Sequence, residues 1–135
     1  MGQTFGKEER LSLKRRFELL LKEGDSFFIY PFRVIYLQNA FEGGDFPAQV
    51  AFAVKKKQFK RAVDRNRIKR LCREAYRRQK GSLYDSLLAR NATLLILMVY
   101  VAQDILPFPE MNKRTIAVIN RLASNVKSGM GETNG

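Results

Sequence analysis

Hydrophobic and polar positions alternate along the chain in patterns that predict helices near its start, middle and end, with strands between them. In the first helix the apolar positions share one face at i, i+4, i+7 and i+8: Leu13, Phe17, Leu20 and Leu21. Ser12 is the expected N-cap of this helix and Gly24 its expected end. Phe17 fits either a core position or the wall of a cleft, and the pattern leaves both open.

Three stretches predict strands because they are rich in β-branched, aromatic and aliphatic residues. Residues 27–39 form the first, in which Pro31 marks an edge or a bulge. Residues 48–54 form the second and are expected to pair with the first as a hairpin. Residues 92–101 form the third, which is apolar enough to be central or covered on both faces. Arg33 interrupts an apolar strand face, which indicates either an open groove or a strand margin.

A longer helix is predicted from Asp64, its expected N-cap, to Gly81, its expected stop. Its apolar stripe consists of Ile68, Leu71, Cys72 and Ala75. The opposite face collects polar and basic residues within about 100° of one another: Asn66, Lys69, Arg70, Arg73, Arg77 and Lys80. Glu74 is expected to pair with Arg70 and Arg78 on the same helix. Residues 1–10 are expected to be a loose N-terminus. Residues 83–88 are expected to form a short separate helix, and residues 112–126 a last helix.

Positive charge is concentrated in residues 55–80, where thirteen Lys or Arg stand against two acids. This segment carries +11 of the formal net charge of +12, so the rest of the chain is almost neutral. A localised basic surface favours a polyanionic partner, since Arg can grip a phosphate with two hydrogen bonds and stack on a base. The alternative is an ordinary solvated helix face, but such faces usually carry more acids. Lys56 and Lys57, at the end of the second strand, fit either phosphate binding or solvation.

The composition removes most catalytic chemistry. The chain has no His and a single Cys, Cys72, so His-containing triads and zinc sites are excluded. It has no glycine-rich phosphate loop, and its acids are scattered. We therefore expect a chain that binds a nucleic acid rather than one that cuts it. The lack of a membrane-length apolar run, of a signal-peptide core and of a second thiol predicts a cytoplasmic location.

The basic helix opens with the pattern R-x-x-x-R-N-R-x-K-R-x-x-R, which resembles the protein subunit of bacterial ribonuclease P. The residues that carry the resemblance are Arg61, Arg65, Asn66, Arg67, Lys69, Arg70 and Arg73. The preceding strand with its lysines, VAFAVKKK, and the following REAYR also fit. The resemblance runs from about Arg10 to Val126, and the order of predicted elements agrees with it.

The resemblance implies an α/β fold class in the form of an α+β two-layer sandwich like the second domain of ribosomal protein S5. The implied element order is αββ(β)αβα, in a single domain over residues 1–128 with a flexible tail at 129–135. The sheet would be mixed, with helices packed on it and an unusual left-handed βαβ crossover. General physics would have predicted the common right hand.

The resemblance also implies the function of an RNA-binding subunit of ribonuclease P. The catalytic RNA would hydrolyse a phosphodiester in precursor tRNA, using Mg2+ bound mainly by that RNA, and so remove the 5′ leader. The protein would contribute no catalytic residue and no metal ligand, and DNA is not an expected partner. The implied contacts with the catalytic RNA are Lys56, Lys57, Arg61, Arg65, Asn66, Arg67, Lys69, Arg70, Arg73 and Arg77.

A cleft between the first helix and the sheet would hold the leader of precursor tRNA. The residues that the resemblance places there are Phe17, Leu21, Arg33 and Ile35, with Tyr36 instead if the strand register is shifted by one. Two positions that are often aromatic in the family are aliphatic here, namely Leu21 and Ile35. Two other functions stay open at this point: a structural RNA-binding protein of the ribosomal type, and a stand-alone metal-dependent nuclease.

Overall fold

A four-stranded mixed sheet forms the centre of the molecule in a computed structural model that describes residues 5–42 and 46–126. The helices are α1 (Lys14–Glu23), α2 (Ala62–Ala89) and α3 (Phe108–Asn125), and a single 3-10 turn covers Lys7–Glu9. The strands are β1 (Asp25–Ile29), β2 (Phe32–Gln38), β3 (Ala48–Val54) and β4 (Leu94–Tyr100). The order αβββαβα includes the additional strand allowed for above, and the fold is α+β.

The strand order in the sheet is β1-β2-β4-β3, with β3 and β4 parallel and the other neighbours antiparallel. The expected single strand at 27–39 is two strands, because the chain turns at Tyr30 and Pro31 between β1 and β2. The expected hairpin between β2 and β3 was wrong, since β4 lies between them. The left-handed sense of the β3–α2–β4 crossover stays a prediction.

β4 takes the central position because its side chains are apolar on both faces. Leu94, Ile96 and Met98 face the main core beneath α2 and α3, whereas Leu95 and Leu97 face a smaller cluster beneath α1. All five are almost completely buried. The prediction of a central strand covered on both faces is therefore confirmed, and the same alternation separates the two faces of the sheet on which the functional surfaces lie.

α2 is one continuous helix of 28 residues, so the prediction of a stop at Gly81 and a separate piece at 83–88 was wrong. A glycine costs a helix interior about 1 kcal/mol. Leu83 and Leu87 offset this cost because they extend the buried stripe and are fully buried. Asp64 lies in the first turn rather than at the N-cap, which is Arg61. The last helix begins at Phe108, four residues earlier than expected, with Pro107 at its N-cap.

Residues 5–10 are held against the fold, so the expectation of a loose segment was wrong for them. The Phe5 ring packs edge-on against the rings of Phe52 and Tyr76. Glu9 is fully buried, and the backbone N–H of Leu11 donates to the carbonyl of Val50 at 3.0 Å. This segment therefore covers the outer edge of β3. The expected tail at 129–135 lies outside the described residues.

Gly24 ends α1 as expected, but the reason is lack of space rather than a left-handed backbone. A Cβ atom at Gly24 would lie 2.6 Å from the carbonyl oxygen of Leu20 and 2.9 Å from that of Tyr36. Its φ of −73° is open to any residue. Ser12 makes no cap, because the N-cap position is Leu13 and no side chain bonds there.

We expect Gly24→Ala to lower the free energy of unfolding by about 1–3 kcal/mol, because backbone atoms must move to admit the methyl group. Gly81→Ala is the matched control, since a Cβ there meets nothing within 4 Å. It should raise the free energy of unfolding by about 0.5–1 kcal/mol. Urea denaturation measures both values. Equal effects of the two substitutions would show that the close approach at Gly24 is not limiting.

Candidate RNA interface

α2 docks on the main core through one side and holds basic residues on the other. Ile68, Cys72 and Ala75 are buried against the sheet and α3. The opposite side of the helix is the arginine face, which we define as Asn66, Arg67, Arg70, Arg73 and Arg77. All of these except the half-buried Arg77 are exposed. The predicted placement of a row of guanidinium groups toward solvent is therefore confirmed for most of the row.

Lys80 was wrongly placed on this face. Its side chain is 4% exposed and forms an ion pair with Glu9, whose side chain is 0% exposed. On an ideal helix Lys80 aligns with Arg73, but the N-terminal segment packs on α2 at this level, where Glu9 contacts both Lys80 and Tyr84. The burial of a Lys is explained by its partner, because charges inside proteins are almost always paired.

Glu74 is the acid on α2 that lies beside the arginine face. Its Oε2 accepts hydrogen bonds from Arg77 at 2.6 Å and from Arg78 at 2.9 Å. The expected pair with Arg78 is confirmed, whereas the expected pair with Arg70 was wrong. The hydrogen bonds from Arg77 and then Arg78 lower the pKa of Glu74 to about 2. Glu74 therefore stays ionised well into acid solution and offsets part of the charge of Arg77.

Arg65 shows that a motif residue can serve the fold as well as a partner. Its Nη1 donates to the carbonyls of Phe59 at 2.7 Å and of Lys60 at 2.9 Å. These bonds tie the loop before α2 to the first turn of the helix. The Nε atom of the exposed Arg61 lies 3.9 Å from Oδ2 of Asp64. Lys69 is half-buried.

The lysines after β3 are exposed on a loop that is anchored to the fold by the two residues that follow them, Gln58 and Phe59. Lys56 and Lys57 are exposed, and the side-chain amide of Gln58 donates to the carbonyls of Val101 and Ala102. Phe59 is buried with its ring against Tyr100. The two lysines therefore stand in a defined place at the carboxyl end of β3.

On the face of the sheet that carries α1, this helix covers one end and leaves the row at the other end partly exposed. Cross-strand pairing puts four side chains in one row, from the edge strand inward: Phe28, Arg33, Val99 and Ala53. α1 covers the other end of this face, where Arg16 donates to Gln49 at 3.1 Å and stacks over the ring of Phe41 at 4.8 Å. We call the surface formed by this row and the adjacent side of α1 the cleft.

The structure places four of the five predicted cleft residues on this face. Arg33 is exposed in the row, and Ile35 is half-buried one step closer to α1. Phe17 is half-buried on the apolar cluster beneath α1, and Leu21 is 54% exposed beside it. Tyr36 lies on the opposite face, where its hydroxyl accepts a hydrogen bond from Asn125. The shifted register was therefore wrong.

Phe28 is a cleft residue that sequence reasoning missed. Its side chain is 53% exposed and lies directly opposite Arg33 in the register of β1 and β2. The signal was present, because a turn at Pro31 makes the residues on either side of it pair across a hairpin. Phe28 therefore supplies an exposed ring on the same face as Leu21 and Ile35, two positions that are often aromatic in the family.

Cys72 belongs to the core and not to a reactive site. Its sulfur lies 3.9 Å from that of Met111, and burial raises the pKa of its thiol to about 12. Among residues 5–42 and 46–126 no group of three or more acidic or Cys side chains could hold a metal ion. In the same part of the chain, no helix combines the length and apolar character needed to cross a membrane.

Comparison with known proteins identifies relatives over nearly the whole chain. The family model described as Ribonuclease P matches residues 5–123. The ribonuclease P protein component of Porphyromonas gingivalis is 37% identical over 127 residues, which cover 93% of this chain and 92% of that protein. The same component of Thermotoga maritima is 41% identical over 81 residues, 60% of this chain and 65% of that protein.

Solved structures agree with the fold. The ribonuclease P protein from Thermotoga maritima superposes with a TM-score of 0.66 at 26% identity, over 84% of this chain and 96% of that one. The ribonuclease P protein of Staphylococcus aureus gives a TM-score of 0.65 over 84% of this chain and 94% of that one. At 21% identity the second comparison supports the fold alone.

Proposed function

The chain belongs to the ribonuclease P protein family, and from this premise we propose how its two surfaces divide the work of the holoenzyme. The protein is the RNA-binding subunit of the ribonucleoprotein that processes the 5′ ends of tRNA. In our proposal the arginine face, with Lys56 and Lys57, binds the catalytic RNA. The cleft binds the 5′ leader of precursor tRNA.

The observation that carries the first part is the charge of the arginine face. Four of its residues are exposed, and the carboxylate beside it, Glu74, is already engaged by Arg77 and Arg78. Exposed guanidinium groups on a rigid helix can each grip a phosphate and release counterions. A helix held by the core presents these groups at fixed spacing, which suits a folded RNA.

The chemistry of the cleft supports the second part. Its row combines a cation, Arg33, with an exposed ring, Phe28. The row continues with two small or aliphatic side chains, Val99 on β4 and Ala53 on β3. Single-stranded nucleic acids are held by such combinations of stacking rings and positive charge, with little dependence on sequence.

The chemistry of hydrolysis belongs to the RNA in this proposal. Bound mainly by the RNA, Mg2+ would supply the Lewis-acid chemistry of phosphodiester hydrolysis. The described residues of this chain bind and orient the substrate, and their positive charge reduces repulsion between two RNAs. A cytoplasmic location stays a prediction.

Reconstitution tests the proposal. We expect this protein to raise the rate at which the catalytic RNA cleaves precursor tRNA at low Mg2+, because its charge replaces part of the screening by the cation. The affinity for precursor tRNA with a leader of several nucleotides should rise more than that for mature tRNA. The protein alone with Mg2+ should leave the precursor intact.

Three results would contradict parts of this account. Equal cleavage with and without the protein would favour a structural RNA-binding protein outside ribonuclease P. Cleavage by the protein alone would favour a metal-dependent nuclease. An equal gain for precursor and mature tRNA would remove the cleft from leader binding and leave the arginine face in place.

A further inference from the structure

A groove separates the N-terminal segment from α2 and has no assigned role. Its lining consists of one ring, four arginines and one carboxylate: Phe5, Arg10, Arg70, Arg73, Arg77 and Glu74. The groove has a volume of about 300 Å³ and opens to the surface. Arg70, Arg73 and Arg77 of the arginine face form one wall of the groove. The groove lies on the opposite side of the sheet from the cleft, because Phe5 packs on the core beneath α2.

The N-terminal wall of the groove is fixed by buried polar contacts. Glu9 forms its ion pair with Lys80, accepts a hydrogen bond from the hydroxyl of Tyr84 at 2.8 Å, and accepts another from the backbone of Gly6 at 2.8 Å. Phe5 and Arg10 flank this anchor in the chain. Their distance from α2 is therefore set by the core and not by the chance position of a loose end.

The charges in the groove favour an anion. Four guanidinium groups face one carboxylate, and Glu74 is already bonded by Arg77 and Arg78. The guanidinium of Arg10 lies over the Phe5 ring, 5.5 Å from its centroid. A guanidinium held over a ring offers its outer plane as a stacking surface for a base.

We propose that this groove binds one unpaired nucleotide of the catalytic RNA, an inference that rests on the proposed function. The phosphate lies among Arg10, Arg70 and Arg73, and the base stacks on the outer plane of the Arg10 guanidinium. The groove has the volume of about ten water molecules, which accommodates a base with its phosphate. A base pair is too large for it, so a duplex would meet only the rim.

Arg10→Ala tests the proposal in the full-length protein bound to the catalytic RNA. We expect the affinity to fall about tenfold, as for the loss of one charge-assisted contact. The slope of log affinity against log salt should flatten by about 0.7, the value for one contact to a single strand. Arg10→Lys should keep the slope and lose part of the affinity, because an ammonium cannot stack as a guanidinium does.

Lys7→Ala is the matched control, since Lys7 is exposed on the same N-terminal turn and does not line the groove. It should leave affinity and slope unchanged. Acylation of RNA 2′-hydroxyls in the two complexes should differ at an unpaired nucleotide between wild type and Arg10→Ala. Circular dichroism and urea denaturation confirm that each variant is folded.

The outcomes separate the inference from the proposed function. If Arg10→Ala keeps the wild-type affinity and salt slope, the groove does not bind a nucleotide. The same conclusion follows if Lys7→Ala loses as much affinity as Arg10→Ala, or if the acylation changes are confined to paired nucleotides. Failure of the wild-type protein itself to bind the catalytic RNA would overturn the proposed function. Wild-type binding with a selective loss in Arg10→Ala supports both.

Discussion

Replacing Lys80 with methionine should lower the free energy of unfolding by about 3–5 kcal/mol, the usual cost of removing one partner of a buried ion pair. Methionine matches the lysine side chain as far as Cε and lacks only the ammonium group, so the apolar contacts of the side chain are largely kept. The carboxylate of Glu9 stays fully buried without its countercharge. The hydrogen bonds from Tyr84 and Gly6 cannot replace that charge. Urea denaturation at neutral pH measures the loss.

A second substitution sharpens this test. Adding Glu9→Gln to Lys80→Met removes the uncompensated charge, so the double variant should be more stable than Lys80→Met alone. Lys113→Met, on the exposed side of α3, is the surface control and should change stability by less than about 0.5 kcal/mol. Additive losses in the double variant would mean that the two charges do not interact as the geometry indicates.

The largest expected effect on binding comes from replacing Arg70 and Arg73 together with alanine. Each loses a charge-assisted contact with phosphate, so the affinity for the catalytic RNA should fall about a hundredfold or more at low salt. The salt dependence should flatten by about 1.4 units, at about 0.7 for each contact to an unpaired strand. Equilibrium binding over a series of salt concentrations measures both quantities. Both arginines are exposed, so the fold should be unaffected.

Lys113→Ala removes a positive charge at a distance from the arginine face and serves as the control for net charge. It should weaken binding slightly and leave the slope almost unchanged. An Arg70 and Arg73 variant that binds with the wild-type slope would show that these side chains do not contact phosphate. An equal effect of Lys113→Ala would mean that binding follows net charge rather than a defined surface.

Local patterns predicted the elements well where one signal dominated. The apolar run of β4 identified a central strand, and the stripe from Ile68 to Ala75 identified the docked side of α2. The pairing of strands was harder to predict from the sequence. Whether β2 and β3 pair as a hairpin depends on whether a distant strand pairs with the same edge instead. β4 follows them by forty residues or more and separates them.

Glycine and proline did not by themselves predict where helices and strands end. Pro31 was recognised as an interruption, yet the turn it makes divides one expected strand into two. Gly81 was expected to end a helix, but the buried Leu83 and Leu87 carry the helix past it. The two errors are opposite. At Gly81 the burial of apolar side chains outweighs the backbone preference of a single residue, whereas at Pro31 the backbone turns and the apolar run does not continue as one strand.

The candidate RNA-binding residues were predictable because motif and charge agreed on one helix. Lys80 was the exception, since its partner Glu9 lies 71 residues away in the chain. No periodicity links two such positions. The groove beside Phe5 was missed for the same reason, because it depends on contacts between segments that are adjacent only in the folded molecule. Phe28 was missed because the hairpin around Pro31 was interpreted as one strand.

The unbroken course of α2 has a thermodynamic consequence for recognition. Its 28 residues make a rod about 42 Å long. The half that we propose contacts RNA shares its backbone with the half that closes the core. A disordered basic tail must become ordered when it binds, which reduces its affinity. In α2 the order already exists before RNA arrives. Association therefore restricts mainly side-chain rotamers, at about 0.5–1.5 kcal/mol for each long side chain that is immobilised.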